Sequence, residues 1–147
     1  MPNNSVSSPA RILVIEDNVS DVFLLGRALK KQNLCFELTH LLNGTDALAY
    51  IRREGDYAKA TIPDLILTDV HLAKYTGEDI LRELRTAKHL AGVPVCVWSS
   101  SQSTRDEAKL LQLGAVLFIT KPLGLEQFMA IGRQLKDLLA PRPLTSD

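Results

Sequence analysis

Acidic, hydroxyl and ammonium side chains follow four short apolar runs in this chain of 147 residues. In chain order they are Glu16 with Asp17, then Asp69, Ser99 and Lys121. Two carboxylates about 4 Å apart repel each other by roughly 4 kcal/mol at an effective dielectric constant of 20, so three of them share one site only with cations. If these groups meet, we expect a divalent cation among them, and oxygen ligands favour Mg²⁺.

Each of these residues, taken singly, has an ordinary structural explanation. An aspartate that follows a strand, as Asp69 does, most often forms a turn or caps a helix. Ser99 would start a helix with its hydroxyl, and Lys121 would be a solvated surface charge. The indication of a functional site therefore comes from the joint pattern and not from any one residue.

The elements that must position these groups are alternating strands and helices. The apolar runs have strand length: RILVI (11–15), CFELTHL (35–41), LILT (65–68), VCVW (95–98) and LFIT (117–120). Apolar residues at helical spacing predict helices near 20–32, 45–53, 77–86, 104–114 and 125–139. Five strands that are each followed by a helix predict an α/β fold, a doubly wound five-stranded parallel sheet with helices on both faces. In such sheets the site lies beyond the carboxyl ends of the strands.

The length of the chain allows one domain with a single core, which we place at residues 10–140. Residues 1–9 are rich in Asn, Ser and Pro, and residues 141–147 form a short Pro-rich tail, so we expect flexible ends. No further domain is expected after residue 140. We therefore expect the output of the protein to be interaction with a downstream protein target.

Composition excludes several classes of partner. Seventeen basic and 17 acidic residues cancel, so no overall field attracts nucleic acid or an acidic membrane surface. No apolar stretch has the length of a membrane span.

Cys35 and Cys96 lie in apolar segments and are interpreted as buried free thiols, which suits the reducing cytoplasm. A cytoplasmic location follows as an expectation.

Four motifs in this order resemble the receiver domain of two-component response regulators, the CheY-like family. They are ILVIEDN (12–18), LILTDVHL (65–72), VWSS (97–100) and FITKP (118–122). The resemblance covers about residues 10–140. It implies a flavodoxin-like sheet with strand order 2-1-3-4-5, and a signalling protein of a phosphorelay rather than a dedicated enzyme.

Carried over residue by residue, the resemblance implies a phosphoacceptor and a metal site. Asp69 would receive a phosphoryl group from the phosphohistidine of a sensor histidine kinase. Asp17 would bind Mg²⁺ directly and Glu16 either directly or through a water, together with Asp69 and the main-chain oxygen of His71. Lys121 would pair with an oxygen of the phosphoryl group.

The resemblance also implies a conformational switch. Ser99 would move to hydrogen-bond the phosphoryl group, and Phe118 would follow that movement. The aromatic residue of the family is often a tyrosine, whose hydroxyl Phe118 lacks. A cis peptide bond is implied before Pro122. Ala73 departs from the family, which usually has a proline four residues after the phosphoacceptor.

Three other classes of protein share parts of this pattern. A flavin mononucleotide module would need a phosphate loop after the first strand, where Glu16 and Asp17 would repel phosphate. A phosphatase of the haloacid dehalogenase kind would carry a second aspartate at position 71, where His71 stands. The strongest alternative is a receiver-like interaction module that is never phosphorylated.

Within the receivers, the stretch from Tyr50 to Leu72 and the serines after Trp98 resemble the stand-alone regulators that accompany bacterial phytochromes and related sensor kinases. The kinase partner implied by this subgroup includes light-sensing ones. On the last helix, Ile131 and Leu138 form a second apolar stripe beside the one that suits the core. We predict that this second stripe contributes to a homodimer or partner surface.

Overall fold

The computed structural model describes residues 8–100 and 104–139. Strands and helices alternate along the chain, in the order β1 (Ala10–Ile15), α1 (Val19–Lys31), β2 (Phe36–Leu41), α2 (Gly44–Arg52), β3 (Leu65–Asp69), α3 (Gly77–Thr86), β4 (Val95–Ser99), α4 (Thr104–Gln112), β5 (Leu117–Thr120) and α5 (Leu125–Leu139). Two short 3₁₀ turns lie at Gly55–Tyr57 and Lys88–Leu90. All ten predicted elements are present. Apart from residues 8 and 9, the ends that we expect to be flexible lie outside the described residues.

The five strands form one parallel sheet in the order β2-β1-β3-β4-β5. This confirms the predicted doubly wound fold and its strand order. The order reverses between β1 and β3, so the crevice beyond their carboxyl ends is the expected place for a site.

Alternate residues of the central strands fill two separate cores. In β1, Ile12 and Val14 pack with α1 and α5, whereas Leu13 and Ile15 pack with α2, α3 and α4. All residues of β3 and β4 are buried. Burial on both faces explains why these strands are continuously apolar up to the polar residues at their carboxyl ends.

The first three helices start directly after short loops at one edge of the sheet. Asn18, Asn43 and Thr76 each cap a helix, and each side-chain oxygen accepts a hydrogen bond from the main-chain nitrogen three residues later. Asp79 completes a capping box with Thr76. These caps fix how the chain leaves β1, β2 and β3, and so hold the polar strand ends in place.

The predicted partner surface on α5 is wrong at Ile131. This residue is 3% exposed and packs into the core against α1, while Leu138 is half-buried on the same core. Both lie at spacings of three and four from the buried Phe128 and Leu135, so they belong to one stripe with them. Leu125, at the start of the same helix, is 56% exposed.

Both cysteines are free thiols, as expected, but only Cys96 is buried; Cys35 lies exposed ahead of β2. No helix within the described ranges has both the length and the apolar character needed to cross a membrane.

Candidate functional site

The strand register brings the predicted site residues to one edge of the sheet. Ile15, the last residue of β1, pairs with Thr68, and Asp69 follows as the last residue of β3. Asp69 in turn pairs with Trp98, next to Ser99 at the end of β4. Parallel strands that end at the same level place their following residues side by side, as we expected from the sequence.

Three carboxylates form the acidic part of the site. Oxygen atoms of Glu16, Asp17 and Asp69 all lie within 4.8 Å of one another. Glu16 is 0% exposed and Asp69 6%, whereas Asp17 is exposed. The cluster is therefore buried on the side of the sheet and open to solvent at Asp17.

Lys121 supplies positive charge to this cluster from the loop after β5. Its Nζ lies 2.8 Å from Oε1 of Glu16, 3.3 Å from Oδ2 of Asp69 and 3.0 Å from Oδ2 of Asp21. The Lys121 side chain is only 12% exposed, so solvent screens these contacts less than those of a surface pair. The main-chain nitrogen of Lys121 donates to the carbonyl of Ser99 at 2.7 Å, which ties this loop to β4.

The loop after β3 holds Asp69 from the other side. The main-chain nitrogen of His71 donates to Oδ1 of Asp69 at 3.0 Å. A β-carbon on Gly77 would lie 2.9 Å from the α-carbon of Val70, so only glycine lets α3 begin this close to the loop. The side chain of His71 is exposed, and its main-chain oxygen remains a predicted ligand.

Burial raises the pKa of Glu16 from 4.5 to about 7, against the opposing effect of the Lys121 ammonium and the hydrogen bond from Asn18. The nearby Asp69 carboxylate adds to the increase. A buried carboxylate loses the water that stabilises its charge. The single ammonium of Lys121 does not replace that water, because Glu16 shares it with Asp21 and Asp69. The site is thus short of positive charge at neutral pH.

The pKa of Lys121 moves in the direction that keeps its charge. Burial alone would lower it, but the carboxylates of Glu16 and Asp21, and then Asp69, raise it above the ordinary lysine value. Lys121 is therefore a permanent ammonium at neutral pH.

The donor set fits a hard divalent cation. Three carboxylates within reach of one another offer the oxygen ligands that Mg²⁺ and Ca²⁺ prefer. Oε1 of Glu16 is buried and, although close to the ammonium of Lys121, makes no hydrogen bond of good geometry within the described part of the chain. A buried carboxylate oxygen without a well-formed hydrogen bond is a favourable ligand for a cation bound among the three carboxylates.

The two predicted switch residues lie on neighbouring strands. Ser99 is buried at the end of β4. Phe118 pairs with Val97, is half-buried and packs against the core below α2, α3 and α4. No peptide bond among the described residues is cis, so the cis bond expected before Pro122 is wrong; the trans form is the ordinary preference even before proline.

Three residues at the site were missed by sequence reasoning. Asp21 binds Lys121, as described above. The ring nitrogen Nε2 of His40, on β2, donates to the main-chain oxygen of Glu16 at 2.6 Å. The ring of Trp98 lies under the ammonium of Lys121, with Nζ 5.1 Å from the ring centroid. Nothing in the spacing of Asp21 or His40 distinguishes them from a helix-start acid and a half-buried strand residue.

Comparison with known proteins finds similar sequences over most of the chain. The family model for the response regulator receiver domain matches residues 12–132. Response regulator Rcp1 of Synechocystis sp. is 32% identical over 130 residues, covering 88% of this chain and 82% of that protein.

Two solved structures resemble the fold closely. The phosphorylated cyanobacterial phytochrome response regulator RcpA has a TM-score of 0.83 at 33% identity and covers 91% of this chain and 96% of that one. The Mn²⁺-bound form of Rcp1 has a TM-score of 0.82 at 28% identity and covers 94% of this chain and 100% of that one.

Proposed function

The chain belongs to the response regulator receiver domain family, and from this premise we propose that Asp69 accepts a phosphoryl group from the phosphohistidine of a sensor histidine kinase. The observation that carries the proposal is the convergence of Lys121 and two further carboxylates on the carboxylate of Asp69. The family is a signalling module, and the protein acts by passing on a conformational change rather than as a dedicated enzyme.

The transfer requires a nucleophile and charge stabilisation at one point. An oxygen of Asp69 attacks phosphorus, the new O–P bond forms, and the P–N bond of the kinase histidine breaks with its electron pair returning to the imidazole. The ammonium of Lys121, 3.3 Å from Oδ2 of Asp69, pairs with an oxygen of the incoming group. Positioned charge of this kind supplies most of the catalysis in phosphoryl transfer.

The metal ligands of the proposed site are the carboxylates of Glu16, Asp17 and Asp69 and the main-chain oxygen of His71. We propose Mg²⁺ as the resident ion, because the donors are oxygens and Asp17 opens the site to waters that Mg²⁺ retains. When bound, the ion would supply positive charge against the negative charge that the phosphoryl group brings to the site.

The readout of phosphorylation lies on β4 and β5. An aspartyl phosphate carries more negative charge than the carboxylate and offers strong acceptor oxygens. Ser99, buried at the same edge, donates its hydroxyl to such an oxygen, and Phe118 on the adjacent strand adjusts to the movement. A downstream protein then recognises the altered surface. The relatives named as phytochrome response regulators support a kinase partner of the phytochrome type.

The test is binding of the phosphoryl mimic beryllofluoride, with and without Mg²⁺, to wild type and to Asp69→Asn. A matched control is Asp64→Asn, because Asp64 lies just before the other end of the same strand. We expect Mg²⁺-dependent binding by wild type and by the control and none by Asp69→Asn. Equal binding by the two variants, or no Mg²⁺-dependent binding by wild type, would favour the non-phosphorylated interaction module.

A further inference from the structure

Among the described residues, the ammonium of Lys121 has one carboxylate neighbour that does not belong to the metal cluster. Glu16 and Asp69 contact Nζ and are also candidate metal ligands, whereas Asp21 contacts Nζ at 3.0 Å from the first turn of α1. The Asp21 side chain is only 19% exposed. Asp21 is thus the lysine partner that a metal ion would leave undisturbed.

The position of Asp21 is fixed relative to Glu16 through the helix cap. The main-chain nitrogen of Asn18 donates to Oε2 of Glu16 at 3.0 Å, and the Asn18 side chain accepts from the main-chain nitrogen of Asp21 at 3.2 Å. With the two ion pairs of Lys121, these contacts form a closed ring. These contacts therefore fix the position of the Asp21 carboxylate relative to the site.

A second helix start shows that this placement is not a by-product of capping. At α2, Asn43 accepts from the main-chain nitrogen of Asp46 at 2.8 Å, the same arrangement as in α1. The Asp46 carboxylate instead accepts a hydrogen bond from Asn43, and it forms no ion pair with a described residue. An acid in the first turn favours either helix through the helix dipole. Only Asp21 also meets the ammonium of the site.

Two cations compete for the oxygens of Glu16 and Asp69. One is the ammonium of Lys121, and the other is the divalent ion of the proposed function, on which this step rests. We propose that Asp21 is a positioning residue, which holds the Lys121 ammonium through a carboxylate outside the metal cluster and leaves Glu16 and Asp69 available to a divalent cation. The ammonium of Lys121 then stays next to the site, paired with Asp21, when a metal ion binds to Glu16 and Asp69.

Loss of this tether has a defined consequence for metal affinity. In Asp21→Asn, Lys121 pairs with Glu16 and Asp69 alone, so the ion must displace it from both. We expect the dissociation constant for Mn²⁺ to rise about tenfold, within the coupling found for residues of one salt-bridge network. Asp21→Glu, which keeps the charge, should recover most of the affinity. The matched control Asp46→Asn should bind Mn²⁺ like wild type.

The experiment is calorimetric titration of the full chain with MnCl₂, combined with a double-mutant cycle against Lys121→Met. If Asp21 acts by holding Lys121, Asp21→Asn changes the affinity about twofold or less once the lysine is absent, because only a screened charge effect remains. If Asp21 acted only as a first-turn acid that stabilises its helix, Asp21→Asn and Asp46→Asn would lose equal thermal stability and Mn²⁺ binding would be unchanged.

The outcomes separate this inference from the proposed function. Wild-type affinity in Asp21→Asn, or a tenfold loss that persists with Lys121→Met, would overturn the positioning role while leaving the metal site intact. A wild-type chain that fails to bind Mn²⁺ would overturn the metal site of the proposed function, and the inference with it. A loss seen only when Lys121 is present would support it.

Discussion

Removal of the charge of Glu16 should stabilise the metal-free protein at alkaline pH. The substitution Glu16→Gln keeps the shape of a side chain that is 0% exposed and replaces a carboxylate by a neutral amide. Burial raises the pKa of Glu16 from 4.5 to about 7, so at pH 8 the folded protein holds a carboxylate that is more stable in the unfolded chain. Gln has no charge to desolvate.

The sign and size follow from proton linkage. Between pH 4.5 and about 7 the folded state keeps a proton on Glu16 that the unfolded state has lost, so the free energy of unfolding falls as pH rises and levels off above about 7. At about 1.36 kcal/mol for each pH unit of this interval, the full cost is about 3 kcal/mol. Lys121 loses one partner in the variant but keeps Asp21 and Asp69. We expect a net stabilisation of about 2 kcal/mol at pH 8 and little difference at pH 4.5.

The assay is urea unfolding of both proteins in a chelator at several pH values, followed by circular dichroism and by the fluorescence of Trp98, the single tryptophan of the chain. Saturating Mg²⁺ provides the control. It should reverse the order, since a ligand that binds only the folded wild type adds to its stability. If Glu16→Gln were less stable than wild type at pH 8 without metal, Glu16 would be a stabilising ion-pair partner and the reasoning would be refuted.

Two further predictions concern the scaffold and the thiols. Gly132→Ala should cost about 1–3 kcal/mol in urea unfolding, because the added β-carbon would lie 2.5 Å from a main-chain oxygen of α1 and force the helices apart. Gly26→Ala, where nothing lies within 4 Å, should be neutral or stabilising, and an equal loss in both variants would contradict the packing argument. Under native conditions at pH 8 a thiol reagent should modify Cys35 alone, as counted by mass spectrometry, because Cys96 is buried and burial raises its pKa to about 12; rapid modification of both thiols would mean that β4 opens readily.

Most of the fold could be predicted from the sequence. Apolar runs of strand length predict strands, and apolar residues at helical spacing predict helices. Each pattern also shows how many faces of its own segment will be buried, and it can be recognised without the rest of the chain. The carboxyl ends of parallel strands lie at one edge of the sheet. The sequence alone therefore predicted one shared site, before any interatomic distance was known, for Glu16, Asp69, Ser99 and Lys121. That placement agrees with the strand register and the ion pairs of Lys121.

The error on α5 shows where such reasoning stops. The helix has more apolar residues than one face can bury, and its sequence alone does not say which of them meet α1. Gly132 allows the α1 backbone to approach closely, and that contact turns Ile131 inward and leaves Leu125 exposed. The rotation of a helix about its axis is thus decided by its packing partner.

The sequence by itself determined which chemical groups lie at the strand ends. Strand length, chain order and the continuity of apolar runs can be recognised along the chain without knowing which segments pack together. Only the tertiary structure decided that Lys121 is shared among Glu16, Asp69 and Asp21 and that its ammonium lies over Trp98. Lys121 lies 105 positions from Glu16, 100 from Asp21, 52 from Asp69 and 23 from Trp98 in the sequence. Electrostatic interaction depends on distance and burial, which arise only when the separate elements pack together.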